Sequence, residues 1–140
     1  MTTDRQRGGM RGVFLVAAEL SRLGYSVALT ARNAAGADLM VFSEGTAKAH
    51  SIEVKTNSKR ANFWLVGERA LKVSSRSHFY VLVNISSQKD RGELFEFYVV
   101  PSGVVARKTV VQKRETSTWY SFSLKHAEPY RDKWSQLGRQ

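Results

Sequence analysis

The sequence predicts a mixed α/β (α+β) domain, one sheet with helices packed on it. Three observations carry this. An amphipathic helix pattern opens the chain, three strand patterns follow closely, and two more strand patterns precede a helical C-terminal stretch.

Residues 1–9, "MTTDRQRGG", are expected to be mobile, and residues 10–140 to form a single domain. A helix is expected over 10–23, where Val13, Val16, Ala17, Leu20 and Leu23 fall on one face and Gly24 follows as a C-terminal stop. Glu19 lies beside that stripe, at the rim of the core. "YSVALTA" (25–31) reads as a strand and "RNAAG" as a turn. "ADLMVFS" (37–43) and "AHSIEVKT" (49–56) read as two strands joined by the tight loop "SEGTAK". "NSKRAN" is a basic loop, "FWLV" a short strand and "GERALKV" a short helix. "HFYVLVNI" (78–85) and "LFEFYVV" (94–100) are buried strands around the loop "SSQKDRG". Pro101 ends the second, and Ser102 is expected to cap a short helix in "SGVVARKTV". "TWYSFSL" reads as a late strand or ordered loop, and "EPYRDKWSQL" (128–137) as a terminal helix.

Charge within the second and third strands needs an explanation, because buried unpaired charge is costly. Residues i and i+2 of a strand share a face, so Glu53 and Lys55 project together while Ile52 and Val54 point into the core. A hairpin centred near Gly45–Thr46 sets facing residues at indices summing to about 91, which places Asp38 beside Glu53. Two adjacent carboxylates repel unless a cation sits between them. Mg²⁺ or Mn²⁺ suits such a pair, with phosphate and water completing its shell. Lys55 would then hold or help activate a water near the phosphate, so the pattern points to metal-assisted phosphodiester hydrolysis. The competing reading is a solvated strand face carrying a surface ion pair. For Glu19, the competing reading is a helix-surface acid paired with Arg22 or Arg11.

Composition bounds the function. The 140 residues carry 22 Lys and Arg against 12 Asp and Glu, a net charge of +10, which favours a polyanionic partner, nucleic acid before acidic membrane. No cysteine is present, which excludes disulfides, thiolate catalysis and Cys-ligated zinc. No segment approaches the ~18 apolar residues of a membrane span, and a signal-peptide reading of "GVFLVAA" fails at Glu19. A cytoplasmic protein is expected. His50, His78 and His126 lack zinc-ligand spacing and read as structural or surface residues, with His50 facing away from Glu53. Walker, Rossmann and serine-hydrolase motifs are absent.

"GADLMVF…HSIEVKTN" resembles the motif of the PD-(D/E)XK nuclease superfamily, and the succession "AAEL", "GADLMV", "IEVKT", "FYVLV" is similar to its small Holliday-junction-resolvase-like members. The resemblance implies a restriction-endonuclease-like αβββαβ core with a central mixed sheet flanked by helices. It implies Asp38 and Glu53 as metal ligands, Lys55 as the catalytic lysine and Glu19 as an additional first-helix acid. Ala37 stands where the motif's name has proline, at a position that varies in the superfamily.

The expectation is therefore a Mg²⁺- or Mn²⁺-dependent endonuclease acting on double-stranded or branched DNA, with a homodimer as the means of cutting both strands. The alternative is an inactive nucleic-acid-binding or protein-interaction module of the same fold. Asn57, Lys59 and Arg60, in the loop after the third strand, are expected to contact phosphates. Trp64 is expected to stack on a base or plug the core, with the core favoured. Trp119, Tyr120, Phe122, Tyr130 and Trp134 are read as anchors of the last elements rather than a stacking platform.

Overall fold

A computed structural model describes residues 3–30, 37–45 and 48–138. The expected turn at 32–36 and the tip of the hairpin loop at 46–47 lie outside the described residues.

Helix α1 spans Asp4–Arg22, so it starts well before residue 10. A capping box explains the early start: Thr3 accepts the Gln6 N–H, and the Gln6 side chain accepts the Thr3 N–H. Gly24, at φ 96°, turns the chain out of the helix. Strands β1 (Ser26–Leu29), β2 (Leu39–Phe42) and β3 (Ala49–Asn57) form an antiparallel meander. The chain then passes through β4 (Phe63–Leu65) and the single-turn α2 (Arg69–Lys72). It re-enters the sheet as β5 (His78–Gln88), parallel to β3, and turns back as β6 (Gly92–Pro101), antiparallel to β5. The result is a mixed five-stranded sheet in the order β1-β2-β3-β5-β6.

Helix α3 (Ser102–Lys108) follows, then β7 (Val110–Lys113), β8 (Thr118–Ser123) and α4 (Leu124–Ala127). Strands β4, β8 and β7 make a smaller sheet in that order.

The two faces of the large sheet bury different clusters. On one face, Val16 and Leu20 of α1 pack with Leu39, Val41, Ile52, Val54, Val81 and Val83. On the other, Tyr80, Leu82, Tyr98 and Val100 pack against Trp64 and Phe122 of the small sheet and Val105 of α3. Trp64 is a core residue, its indole N–H donating to the Val83 carbonyl at 2.9 Å.

Two local expectations need correction, and one strand was missed. Ser102 does not cap α3; its hydroxyl instead exchanges hydrogen bonds with the Ser75 backbone, at 2.9 and 3.0 Å. The stretch 128–137 is not one helix but two 3₁₀ turns, Glu128–Tyr130 and Trp134–Leu137. Strand β6 divides them: Arg131 bridges to Tyr98, and the Asp132 N–H donates to the Phe97 carbonyl with Asp132 at φ 53°. Strand β7 lacks an apolar pattern and every residue in it is exposed, so period gave no sign of it.

Candidate active site at the open edge of β3

Strand β2 pairs with only the first part of β3, from Phe42–Ala49 to Leu39–Ile52. That is the register anticipated from the hairpin. Beyond Ile52, β3 runs on to Asn57, paired to β5 on its other side. Its N–H and C=O groups on the β2 side would be unpaired there, and buried backbone groups require partners. Asp38 supplies them. Its N–H donates to the Ile52 carbonyl at 2.8 Å, and its carboxylate Oδ2 accepts the Val54 N–H at 2.7 Å. Asp38 thus leaves the regular ladder and fastens its carboxylate to the peptide between Glu53 and Lys55. Its second oxygen has no hydrogen-bond partner among the described residues.

Glu53 and Lys55 face away from the α1 cluster, on the side of their cross-strand partners Tyr80 and Leu82. Lys55 Nζ lies 3.1 Å from Glu53 Oε2. The Glu53 side chain is only 13% exposed, so this ammonium partly compensates a carboxylate that has lost most of its water. The Asp38 carboxylate thereby reaches, from the start of β2, the stretch of β3 that carries Glu53 and Lys55.

Glu19 is held elsewhere. It sits on α1, which packs on the opposite face of the sheet, and its carboxylate takes hydrogen bonds from Arg22 Nε at 3.2 Å. Those bonds lower its pKa from the ordinary carboxylate value, against a smaller upward push from burial. Arg11 pairs with Glu93 and lies over the Phe95 ring.

The three loop residues expected to touch phosphate have different surroundings. Asn57 donates to the Phe63 carbonyl and to Asn84 Oδ1, at 2.8 and 3.1 Å. Fully buried Asn84 also holds both backbone groups of Ala61, so it clamps the loop. Arg60 Nε donates to the buried carboxylate of Glu96 at 2.9 Å, and Arg131 approaches the same group at 3.5 Å. Lys59 is exposed, with no partner among the described residues.

His78 and Tyr80 lie on the Glu53 side of β5 and went unread in the sequence as neighbours of the site. His78 Nδ1 is 2.7 Å from Ser51 Oγ, and its ring meets Tyr80 edge-on. Burial lowers the His78 pKa while Glu53 opposes that shift, and burial followed by Glu53 raises the Tyr80 pKa. The alternation His78-x-Tyr80 held the signal, but the parallel β3–β5 pairing was needed to use it. His50 faces away from Glu53 as expected, edge-on to Phe79.

No three His, Asp or Glu side chains among the described residues converge as a metal-holding group. The donor set fits a hard cation bound through one or two carboxylates, with water and phosphate oxygens filling the shell, as Mg²⁺ prefers. No helix among the described residues is long and apolar enough to cross a membrane.

No family model and no curated protein matches the chain. Solved structures do. A bacterial homing endonuclease, I-Ssp6803I, superposes with a TM-score of 0.59 at 15% identity, over 98% of this chain and 92% of that one. Hjc, a Holliday junction resolvase from the archaeal hyperthermophile Archaeoglobus fulgidus, superposes with a TM-score of 0.53 at 13% identity, over 94% of this chain and 97% of that one. The chain has the restriction-endonuclease-like fold. Within that fold, the helix expected between the third strand and its parallel neighbour is reduced to the single turn α2, preceded by β4.

Proposed function

We propose that this chain is a metal-dependent endonuclease that hydrolyses DNA phosphodiesters, acting as a single nuclease-like domain in the cytoplasm. The observation that carries the reading is the placement of the Asp38 carboxylate on the Val54 peptide, directly between Glu53 and Lys55. The fold shared with a homing endonuclease and a Holliday junction resolvase supports it.

Asp38 and Glu53 would hold Mg²⁺ or Mn²⁺, which when bound neutralises charge on the phosphate and acidifies water. The chain's own residues do the rest. Asp38 keeps one oxygen on Val54, so its other oxygen is pre-aimed. Glu53 holds the Lys55 ammonium, which orients the attacking water. The water gives up a proton to solvent and its oxygen bonds to phosphorus as the bond to the leaving sugar oxygen breaks; that oxygen takes a proton from solvent, and the developing charge meets the Lys55 ammonium. Glu19 stands as a more remote acid on the far side of β3. A homodimer would present two such sites, one for each strand.

The test is cleavage of labelled linear, flapped and four-way-junction DNA with Mg²⁺ or Mn²⁺. Wild type should cut and EDTA should stop it. Glu53→Gln and Lys55→Met should each lose at least ~10²-fold, the scale of a lost transition-state electrostatic contact. Absence of cleavage on every substrate, or full retention in both variants, would sink the nuclease reading.

A further inference from the structure

A cleft of about 510 Å³ opens along the unpaired edge of β3, beyond the end of β2. Arg5 and Gly9 of α1, Lys55 and Ser58 on and after β3, and Phe63 and Trp119 of the small sheet line it. The small sheet accounts for the aromatic lining. Trp64 pairs with Phe122, and both point into the core. The alternate residues Phe63, Leu65 and Trp119 therefore share the outward face. Phe63 is 41% exposed and Leu65 43% exposed, and Trp119 is half-buried. The Arg114 guanidinium lies 4.2 Å above the Trp119 ring, which keeps a cation beside the indole.

An outward aromatic face would normally be a cost, yet this one borders a lysine of the candidate active site and two arginines, in a chain of net charge +10. Flat rings beside cationic side chains match the chemistry of an unpaired nucleotide, whose base stacks while its phosphate takes the charge. A fully paired duplex hides its base faces and gives such rings nothing to stack on.

We propose that Phe63 and Trp119 stack on an unpaired base next to the phosphate held at Lys55, so that the preferred substrate is DNA with an unstacked nucleotide at the cleavage point, such as a bulge, flap or junction. This rests on the nuclease reading and deepens it. It gives Trp119 a stacking role, where the sequence had suggested an anchor of the last elements. Trp134, by contrast, is buried with Phe97 as expected.

The test measures binding in Ca²⁺ to a duplex with a two-base bulge carrying 2-aminopurine and to the same duplex fully paired. Wild type should prefer the bulged DNA at least tenfold and quench the 2-aminopurine. Trp119→Leu and Phe63→Leu should bind both DNAs alike, with affinity for the paired duplex kept, and Trp119→Phe should restore the preference. Tryptophan emission of wild type gives a second readout that needs no variant. It should fall on adding bulged but not paired DNA, because Trp64 and Trp134 are buried. Equal binding of the two DNAs by wild type overturns the inference, as does a preference that survives Trp119→Leu. If paired DNA is bound in either case and is cut when Mg²⁺ replaces Ca²⁺, the nuclease reading stands and the stacking role alone falls.

Discussion

The Asp38 carboxylate accepts the Val54 N–H at 2.7 Å through one oxygen. The proposed metal-dependent activity gives its other oxygen a second task, and substitution can separate the two. Asparagine keeps a carbonyl oxygen for the N–H but removes the charge. Asp38→Asn should therefore melt within about 0.5 kcal/mol of wild type and still lose metal-dependent cleavage by ~10²-fold. Asp38→Ala removes the acceptor as well and should cost about 1.5–3 kcal/mol, the worth of a hydrogen bond to a charged group. Urea melts beside cleavage assays check this. If Asn and Ala destabilise equally, the Val54 bond is not what holds this edge together. The register that sets Asp38 near Glu53, and the shared face of Glu53 and Lys55, were legible in the sequence because they follow from one hairpin and strand alternation. The pairing of Glu19 with Arg22 was open to the sequence too, because the two lie one turn apart on the same helix. The partner of Arg60 was not, because Glu96 comes from a distant strand.

At the scale of elements, the contact of α1 with β3 borders the cleft, and glycine makes it possible. A Cβ on Gly12 would lie 1.7 Å from Thr56 Oγ1 and 2.8 Å from its Cβ, whereas a Cβ on Gly9 would meet nothing within 4 Å. Alanine is the better helix former by up to ~1 kcal/mol. Gly9→Ala should accordingly stabilise by up to about 1 kcal/mol. Gly12→Ala should destabilise by about 1–3 kcal/mol despite the same propensity gain, because overpacking forces the helix off the strand. Thermal unfolding of the two variants decides it, and a stabilised Gly12→Ala would mean that α1 does not lie this close to β3. The apolar stripe of α1 was visible as a period, and its packing against Ile52 and Val54 follows. Its N-terminal turns were not visible, because Gly8 and Gly9 weaken the helical signal that the Thr3–Gln6 box restores. The break at Arg131–Asp132 escaped for a related reason: it is imposed by β6, far away in sequence.

For the whole molecule, net charge +10 says that polyanion binding must be salt-sensitive, and the structure says which cations are free to contribute. A duplex touching about five phosphates should lose roughly 500-fold in affinity between 50 and 200 mM salt, since each neutralised phosphate contributes a slope of about −0.9. Lys59, exposed and without a partner among the described residues, should act in that sum. Lys59→Ala should flatten the slope by about 0.9 at unchanged thermal midpoint. Arg60 carries the same formal charge one residue later, but its guanidinium is committed to the buried Glu96 carboxylate beside Tyr98 and Arg131. Arg60→Ala should therefore lower the thermal midpoint and leave the salt slope nearly unchanged. Titrations by fluorescence anisotropy at several salt concentrations measure both slopes. Equal flattening by the two variants would mean that Arg60 releases Glu96 to meet DNA, and that the loop after β3 rearranges on binding. Unequal flattening would show that only part of the chain's positive charge is available to DNA, and that the buried carboxylate fixes which part.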